Sequence, residues 1–216
     1  LEADDVTIGV VEGVQGISWT EIVIIGQSAH AGTTPMRLRH DPAFCAAAIA
    51  TYVRDLTHHL GSDQVGTVGR IEVYPNLVNV VPARAALTVD LRNTDERVLQ
   101  EAEGRLSAFL EELAESEGVQ ISTTTLARFE PVEFDPAMVD LVETTARRLG
   151  HSTRRLSSGA GHDAQMLARI CPTAMIFTPS VNGLSHNIAE FTEAVDIEAG
   201  ANVLLQVVLD QLEVGL

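Results

Sequence analysis

The sequence has little positive charge and few cysteines, and each shortage excludes a class of function. Lys and Arg number 14 against 30 Asp and Glu among 216 residues, giving a formal net charge of −16. Binding to nucleic acid needs Lys and Arg that displace counterions from phosphates, and an anionic membrane attracts basic segments, so we exclude both partners. Cys45 and Cys171 are too few for a disulfide framework, and we expect both to be buried free thiols.

Long apolar runs and targeting signals are also missing. No run approaches the roughly 18 apolar residues of a membrane-spanning helix, and no signal-peptide pattern opens the chain. We therefore expect a cytoplasmic protein. Hydrophobic residues make up 45% of the chain, a globular composition. Because the chain begins at Leu1 instead of Met, we expect a fragment, a processed chain or a trimmed one.

Hydrophobic periodicity divides the chain into a continuous module and its two flanks. Residues 18 to about 128 read as β-α-β-β-α-β, the ferredoxin-like pattern of an antiparallel sheet with two helices on one face. In the first of these helices an apolar residue recurs every four positions, and Thr94 is predicted to cap the second. The apolar residues of that series are Phe44, Ala48, Tyr52, Leu56 and Leu60.

The flanks read as part of an α/β layer into which this module is inserted. A buried strand is predicted at 6–11 and helices at 137–149 and 197–212. A Gly-rich loop at 157–161 is predicted to open another helix, and the apolar run 172–177 to form a buried parallel strand. The fold class is thus mixed α+β and α/β, with predicted domains at 1–17, 18–130 and 131–216.

Two motifs in the inserted module could bind a ligand. His30 lies in a loop between Gly26 and Gly32, where small neighbours let a ligand approach, although a loop histidine can also be merely solvated. Asn79 lies between two prolines and offers both a donor and an acceptor. Arg92 ends a strand with a planar fork that suits a carboxylate, or that pairs with an Asp of the same surface.

Two further motifs lie in the C-terminal flank. The stretch 157–164 contains Gly-x-Gly-x-x-Ala, but no hydrophobic strand is predicted before it, and the Gly-x-Ser-x-Gly spacing of a serine nucleophile is absent. A helix N-terminus whose glycines admit a substrate fits better. His186 lies in a polar loop after a predicted strand, where a neutral imidazole could bind a metal, but one histidine is not a metal site.

Four motifs in this order resemble the M20-type metal-dependent amidohydrolases, in particular their hydantoinase/carbamoylase branch. That branch comprises N-carbamoyl-L-amino-acid hydrolases, β-ureidopropionases and allantoate amidohydrolases. The motifs are residues 29–36, residues 79–82 with 90–92, residues 158–164, and residues 185–187 with Glu190. The resemblance covers essentially the whole chain.

The resemblance implies a catalytic domain with an inserted ferredoxin-like lid that forms a homodimer edge to edge. It implies that His30 stabilises the oxyanion in the partner subunit's active site, and that Asn79 and Arg92 grip the carboxylate of a small substrate. Gly159 and Ala160 would contact the substrate through their backbone, and His186 would bind one of two divalent metals, zinc or manganese.

The remaining ligands of such a family member, and its general base, are expected upstream of the segment that matches Leu1. We therefore expect the parent protein to hydrolyse linear amide C–N bonds in N-carbamoyl amino acids or allantoate. The chain alone would be inactive and would bind no metal. Two alternatives are a non-catalytic dimerisation module and an M20 peptidase that acts on small peptides.

Overall fold

The structure, a computed structural model, describes residues 1–61 and 63–214. Short 3-10 turns lie at Glu2–Asp4, Met36–Leu38 and Val181–Gly183. The strands and helices of the described residues are, in chain order, β1 (Ile8–Val14), β2 (Gly16–Ile25), β3 (Ala29–His30), α1 (Pro42–Leu60), β4 (Val65–Tyr74), β5 (Val80–Val81), β6 (Arg84–Asn93), α2 (Glu96–Glu117), β7 (Gln120–Phe129), β8 (Val132–Glu133), α3 (Pro136–Arg148), β9 (Thr153–Ser158), α4 (Asp163–Leu167), β10 (Met175–Phe177) and α5 (Ala194–Val214).

The described residues divide into two compact units. Residues 16–131 form the first, here called the central unit, and residues 1–15 with 132–214 form the second, the flanking unit. The fold is mixed α/β, since the central unit has an antiparallel sheet and the flanking unit a mixed one. The functional identities expected for these units, a lid and part of a catalytic domain, stay predictions.

The central unit is a four-stranded antiparallel sheet, in the order β4-β6-β2-β7, that packs against α1 and α2. Strand β6 shows the alternation that half-burial requires, because Leu87, Val89 and Leu91 are buried while the residues between them lie on the other side. These side chains share one core with both helices, including Ile49 of α1 and Leu99 of α2. We call the sheet face opposite α1 and α2 the outer face.

Side-chain caps fix where the helices of the central unit begin. Asp41 accepts a hydrogen bond from the backbone N–H of Ala43 at 2.9 Å and thereby caps α1. The cap of α2 is Asp95, whose carboxylate accepts from the N–H of Arg97 at 2.8 Å. The prediction of Thr94 was therefore wrong by one residue, since the Asp95 carboxylate is the group that reaches the first free N–H groups.

The flanking unit is built around β1, which pairs with β9 in parallel and with β8 and β10 antiparallel. The run 172–177 was thus predicted in the wrong direction: β10 runs antiparallel to β1. The parallel partner is β9, a strand not predicted from its polar sequence. Val10 and Val11 of β1 form a second core with residues of α3 and α5.

Helix α5 buries Ala199, Val203 and Val207 but leaves much apolar surface exposed. A groove of about 720 Å³ lies beside it, bounded also by α3 and β10, with a lining that includes Met138, Ile176 and Leu204. No helix among residues 1–61 and 63–214 combines the length and apolar character needed to cross a membrane.

The two cysteines have different environments. Cys45 is fully buried in the central core, and burial raises the pKa of its thiol to about 11. Cys171 is exposed, so the expectation of burial was wrong for this residue. It follows α4 at the surface, and its Sγ donates to the carbonyl of Leu167.

Candidate functional site

His30 and Asn79, 49 residues apart in sequence, lie side by side in a small two-stranded ribbon of the central unit. Strand β3 pairs with β5, so that His30 opposes Val80. The backbone N–H of Ala31 donates to the carbonyl of Asn79 at 2.9 Å and extends this pairing by one step. The ribbon therefore presents the histidine and the asparagine together.

The ring of His30 is held in one tautomer by its own loop. Its Nδ1 accepts hydrogen bonds from the backbone N–H groups of Gly32 at 2.9 Å and Thr33 at 3.2 Å. Because Nδ1 acts as an acceptor, the proton of the neutral ring lies on Nε2. The side chain is exposed, so the ribbon offers a fixed Nε2–H donor to a ligand.

A residue that the motif analysis did not single out, Arg39, holds the His30 loop. Its Nη2 donates to the carbonyl of Ala31 at 2.6 Å and its Nε donates to the carbonyl of Thr34 at 3.0 Å. These bonds tie both sides of the turn that supplies the N–H groups to His30. A basic residue shortly after a Gly-rich loop was the only sequence signal for this role.

Arg92 lies on the outer face of the sheet and is paired with Asp90, two residues earlier on the same strand. Its Nε lies 3.0 Å from Oδ1 of Asp90 and its Nη2 lies 2.7 Å from Oδ2. The Trp19 ring centre is 5.9 Å from its Cζ. The arginine and aspartate side chains are 21% and 28% exposed. Of the two sequence interpretations of Arg92, the structure contains the contact with an Asp of the same surface.

The structure does not bring Arg92 together with Asn79. The ribbon that carries Asn79 precedes the first residue of β6, Arg84, whereas Arg92 is the penultimate residue of that strand. Eight residues of extended chain separate Arg84 from Arg92, about 27 Å. Asn79 and Arg92 of one chain are therefore associated with opposite ends of β6.

Gly159 and Ala160 lie in the loop after β9, which is pinned by the buried hydroxyl of Ser158. Ser158 Oγ donates to the carbonyl of Ala160 at 2.9 Å and accepts from its N–H at 3.2 Å. His162 Nε2 lies 3.1 Å from the same hydroxyl. Ser158 is fully buried and holds the loop in shape, which does not suit a nucleophile.

Room for a ligand exists at Gly159 but not at the Ala160 amide. A Cβ added at Gly159 would meet only Gln15 Oε1, at 3.8 Å. The Ala160 N–H points instead at Ser158, so this amide is already used. The helix that follows, α4, has only five residues and is shorter than the predicted 162–170. Its dipole therefore adds little to the loop.

His186 lies in an exposed turn of the flanking unit, with a positive φ of 55°. Its backbone N–H donates to Oε2 of Glu190 at 2.8 Å, and Asn187 Oδ1 accepts from the N–H of Ala189 at 2.9 Å. Glu190 therefore closes the turn that positions the histidine.

The described residues do not fit a binuclear metal centre. Across residues 1–61 and 63–214, no three His, Cys, Asp or Glu side chains converge on a point that could hold a metal ion. Zinc sites need three or four protein ligands, and His186 could supply one of them.

Comparison with known proteins gives a consistent result. Residues 3–210 match the Peptidase family M20/M25/M40. The N-carbamoyl-L-amino-acid amidohydrolase of Rhizobium meliloti is 40% identical over 214 residues, 99% of this chain and 51% of that protein. The allantoate amidohydrolase of Escherichia coli (strain K12) is 36% identical over 204 residues, 94% of this chain and 50% of that protein.

A solved structure extends the comparison to three dimensions. The crystal structure of an amidase of the hydantoinase/carbamoylase family from Burkholderia multivorans superposes with a TM-score of 0.92 at 42% identity. The superposition covers 97% of this chain and 51% of that one. The chain thus spans about half the length of the relatives it matches.

Proposed function

The chain belongs to the Peptidase family M20/M25/M40, and from this premise we propose that the whole protein hydrolyses a linear amide C–N bond in small N-carbamoyl compounds. Family membership confirms the resemblance drawn from the four motifs. The relatives named above include an N-carbamoyl-L-amino-acid amidohydrolase and an allantoate amidohydrolase. Both are amidohydrolases, and carbamoyl amino acids and allantoate are accordingly the substrates we propose to assay.

The observation that carries the proposal is the fixed tautomer of His30. When water adds to the carbonyl carbon of an amide or ureido group, negative charge develops on its oxygen. A donor already oriented toward that oxygen stabilises the transition state more than the ground state. The two N–H groups bound to Nδ1 keep the Nε2–H of His30 in this role without any change of tautomer.

We propose that two copies of the chain complete one binding site. A ligand whose carboxylate is bound by Arg92 of one copy would receive His30 and Asn79 from the other, because about 27 Å of strand separates Arg92 from Arg84, the residue of β6 nearest the ribbon in sequence. The substrate class this arrangement favours is a small carboxylate. We propose that the substrate also contacts the backbone at Gly159, because there is space beside this residue for a ligand.

The proposed dimer forms through the central unit, which we interpret as a ferredoxin-like lid. Its strand order β4-β6-β2-β7 and its two helices on a shared core support that description. Strands β4 and β7 end this sheet, and sheet edges pair readily with a second copy. The net charge of −16 is the reason why neither nucleic acid nor a membrane is proposed as a partner.

Members of this family are generally dependent on divalent metals, and we propose two per site in the whole protein, zinc or manganese. His186 is the one ligand proposed from this chain. The described residues hold no cluster that would complete the site, so the chain by itself is proposed to be inactive. The second candidate is an M20 peptidase that acts on small peptides. The family match supports the same fold for the amidohydrolase and for the peptidase, so it does not distinguish them.

One experiment separates these candidates. The whole protein containing this chain is assayed with N-carbamoyl-L-amino acids, allantoate and dipeptides, and each activity is compared in wild type and His30→Ala. Removing an oxyanion donor should lower kcat by about 10²–10³-fold with little change in KM. Arg92→Ala should instead raise KM for substrates that carry a free carboxylate.

Activity on dipeptides alone would replace the carbamoyl proposal with the peptidase. An unchanged kcat in His30→Ala would remove the oxyanion role of that residue. Arg39→Lys is a matched control, because it keeps the charge near the loop but cannot reproduce both backbone bonds of the planar guanidinium. It should lower kcat by less than His30→Ala does.

A further inference from the structure

One edge of Arg92 that suits a ligand carboxylate, formed by Nε and Nη2, is occupied by a carboxylate of the chain itself. Asp90 Oδ1 and Oδ2 face Nε and Nη2 of Arg92 at 3.0 and 2.7 Å. This is a two-bond arrangement of the kind that guanidinium and carboxylate groups frequently form. Both residues lie on the outer face of the sheet, since the residue between them, Leu91, is buried in the core on the other side.

The surroundings of Asp90 provide an alternative place for its carboxylate. A cavity of about 310 Å³ on the outer face is lined by Asp90 together with Trp19, Thr67, Thr88 and Leu126. Thr67 lies directly opposite Asp90 in the register of β4 and β6, and Thr88 lies two residues before it on the same side of the strand. Hydroxyls can donate to a carboxylate, so both threonines could receive one that has left Arg92.

We propose that Asp90 is an internal stand-in for the ligand carboxylate and that binding proceeds by exchange. The incoming carboxylate takes the Nε and Nη2 edge of Arg92, and the Asp90 carboxylate turns into the cavity toward Thr67 and Thr88. This proposal rests on the proposed function, in which Arg92 binds the substrate carboxylate. It assigns Asp90 a specificity role: a group that is not anionic cannot displace it.

The exchange predicts that Asp90 lowers the affinity of Arg92 for a ligand carboxylate. When only a fraction of the molecules has the competent arrangement, the apparent Kd is the intrinsic Kd divided by that fraction. If the pair is closed in about nine molecules of ten, removing the Asp90 charge should tighten carboxylate binding about tenfold. A residue that merely oriented Arg92 would have the opposite effect, since its loss would weaken binding.

The single tryptophan of the chain reports on this site directly. Trp19 lines the cavity and lies opposite Asp90 in the register of β2 and β6. Its indole N–H is the only such signal in a ¹H–¹⁵N spectrum of the 216-residue chain. We would titrate the chain with N-carbamoyl-L-alanine, follow this signal together with the calorimetric heat, and use N-carbamoyl-L-alaninamide as the ligand without a carboxylate.

Asp90→Asn, nearly isosteric, should lower the Kd for N-carbamoyl-L-alanine by about tenfold. Asp90→Ser is the second variant, in case the amide of Asn bonds Arg92 in another way. Thr67→Val keeps the shape but removes the hydroxyl, so it should weaken binding by a few-fold in the wild type and have no effect in Asp90→Asn. Circular dichroism of every variant should match the wild type.

The outcomes separate the exchange from the function on which it rests. An Asp90→Asn and an Asp90→Ser variant that bind N-carbamoyl-L-alanine equally or more weakly than wild type overturn the exchange, while Arg92 keeps its role if Arg92→Ala abolishes binding. Binding that survives Arg92→Ala, or that N-carbamoyl-L-alaninamide reproduces, overturns the carboxylate role of Arg92 and with it both proposals. Absence of binding by the wild type and by both Asp90 variants, in the chain and also in the whole protein that contains it, has the same consequence.

Discussion

The central and flanking units leave different parts of their apolar surface uncovered. In the central unit, α2 buries Leu99, Leu106 and Leu113 against the sheet, and exposed apolar groups such as Val78 and Trp19 lie next to the proposed ligand-binding residues. In the flanking unit, α5 exposes more than half of Leu204, Leu205 and Leu212 along its length. The central unit thus closes its own core, whereas the flanking unit offers a continuous apolar groove.

This difference has an energetic meaning. Apolar surface that stays in water contributes nothing to folding, while each square ångström of it that is buried contributes about 25 cal/mol. The flanking unit should therefore gain stability from any surface that covers α5. Contiguous exposed patches of this kind commonly mark contact sites between polypeptides.

The largest expected effect comes from truncating the central core. Leu87 of β6 is fully buried in the core that the sheet shares with both helices. Leu87→Ala should therefore lower the free energy of unfolding of the central unit by about 2–5 kcal/mol. Urea unfolding, followed by the Trp19 fluorescence of the same unit, measures the change.

Leu204→Ala is the matched control, because Leu204 is 56% exposed and lines the groove beside α5. It should change stability by less than about 0.5 kcal/mol. A cost at Leu204 close to that at Leu87 would mean that the groove is filled in solution, and the contrast between the two units would not hold.

The central unit was also the easier one to predict from the sequence, for a physical reason. Its sheet has one buried face, so its strands alternate and its helices show a clear apolar side. The predicted apolar face of α1 was nevertheless partly misplaced, because a strict four-residue repeat departs from the 3.6 residues of a helical turn. Phe44 is 53% exposed, and the buried side chains of the helix include Ile49 and Val53.

The flanking unit was harder because pairing partners, and not local composition, decide its strands. Strand β9 contains Arg154 and Arg155, both exposed, and so lacks an apolar signal. Its existence depends on pairing with β1, more than 130 residues earlier. The direction of β10 has the same origin, since an apolar run carries no information about whether its neighbour is parallel.

The candidate site was predicted as a set of residues but not as an arrangement. Motifs identified His30, Asn79 and Arg92 because these residue types suit a carboxylate and an oxyanion. The tautomer of His30 depends on two backbone N–H groups, and the distance between Asn79 and Arg92 depends on the length of β6. Neither quantity can be obtained from residue types alone.

Helix caps allow a smaller, matched test of the two units. Asp41 caps α1 of the central unit with bonds from two N–H groups, at 2.9 and 3.3 Å, whereas Asp135 caps α3 of the flanking unit with one, at 2.9 Å. Asp41→Ala should cost about 1–2 kcal/mol and Asp135→Ala about 0.5–1 kcal/mol, as amide hydrogen exchange within each helix would measure.

The Asn variants at the same positions serve as controls, since Asn is also a good N-cap. They should keep most of the stability in both helices. Equal losses for Asp41→Ala and Asp135→Ala would show that the number of bonds does not distinguish the two caps.

The smallest expected effect concerns the dependence of each unit on acid, to which one carboxylate of lowered pKa contributes in each unit. The pKa of Asp95 in the central unit lies below its usual 3.8, chiefly because the carboxylate accepts from the N–H of Arg97. The pKa of Asp210 in the flanking unit is lowered chiefly by its hydrogen bond from Gln206, and then by Arg148. In each case the unfolded chain binds a proton more readily than the folded one, so the stabilisation is full above the unfolded pKa and is lost as pH falls through the folded value.

Asp95→Asn should therefore flatten the fall in thermal stability below about pH 4 for the central unit alone, and Asp210→Asn should do so for the flanking unit alone. Melting followed at pH 6 and at pH 3, by Trp19 fluorescence for the central unit and by amide exchange for α5, tests both halves of this expectation. A change in the wrong unit, or an unchanged slope in both variants, would show that the acid response is spread over other carboxylates.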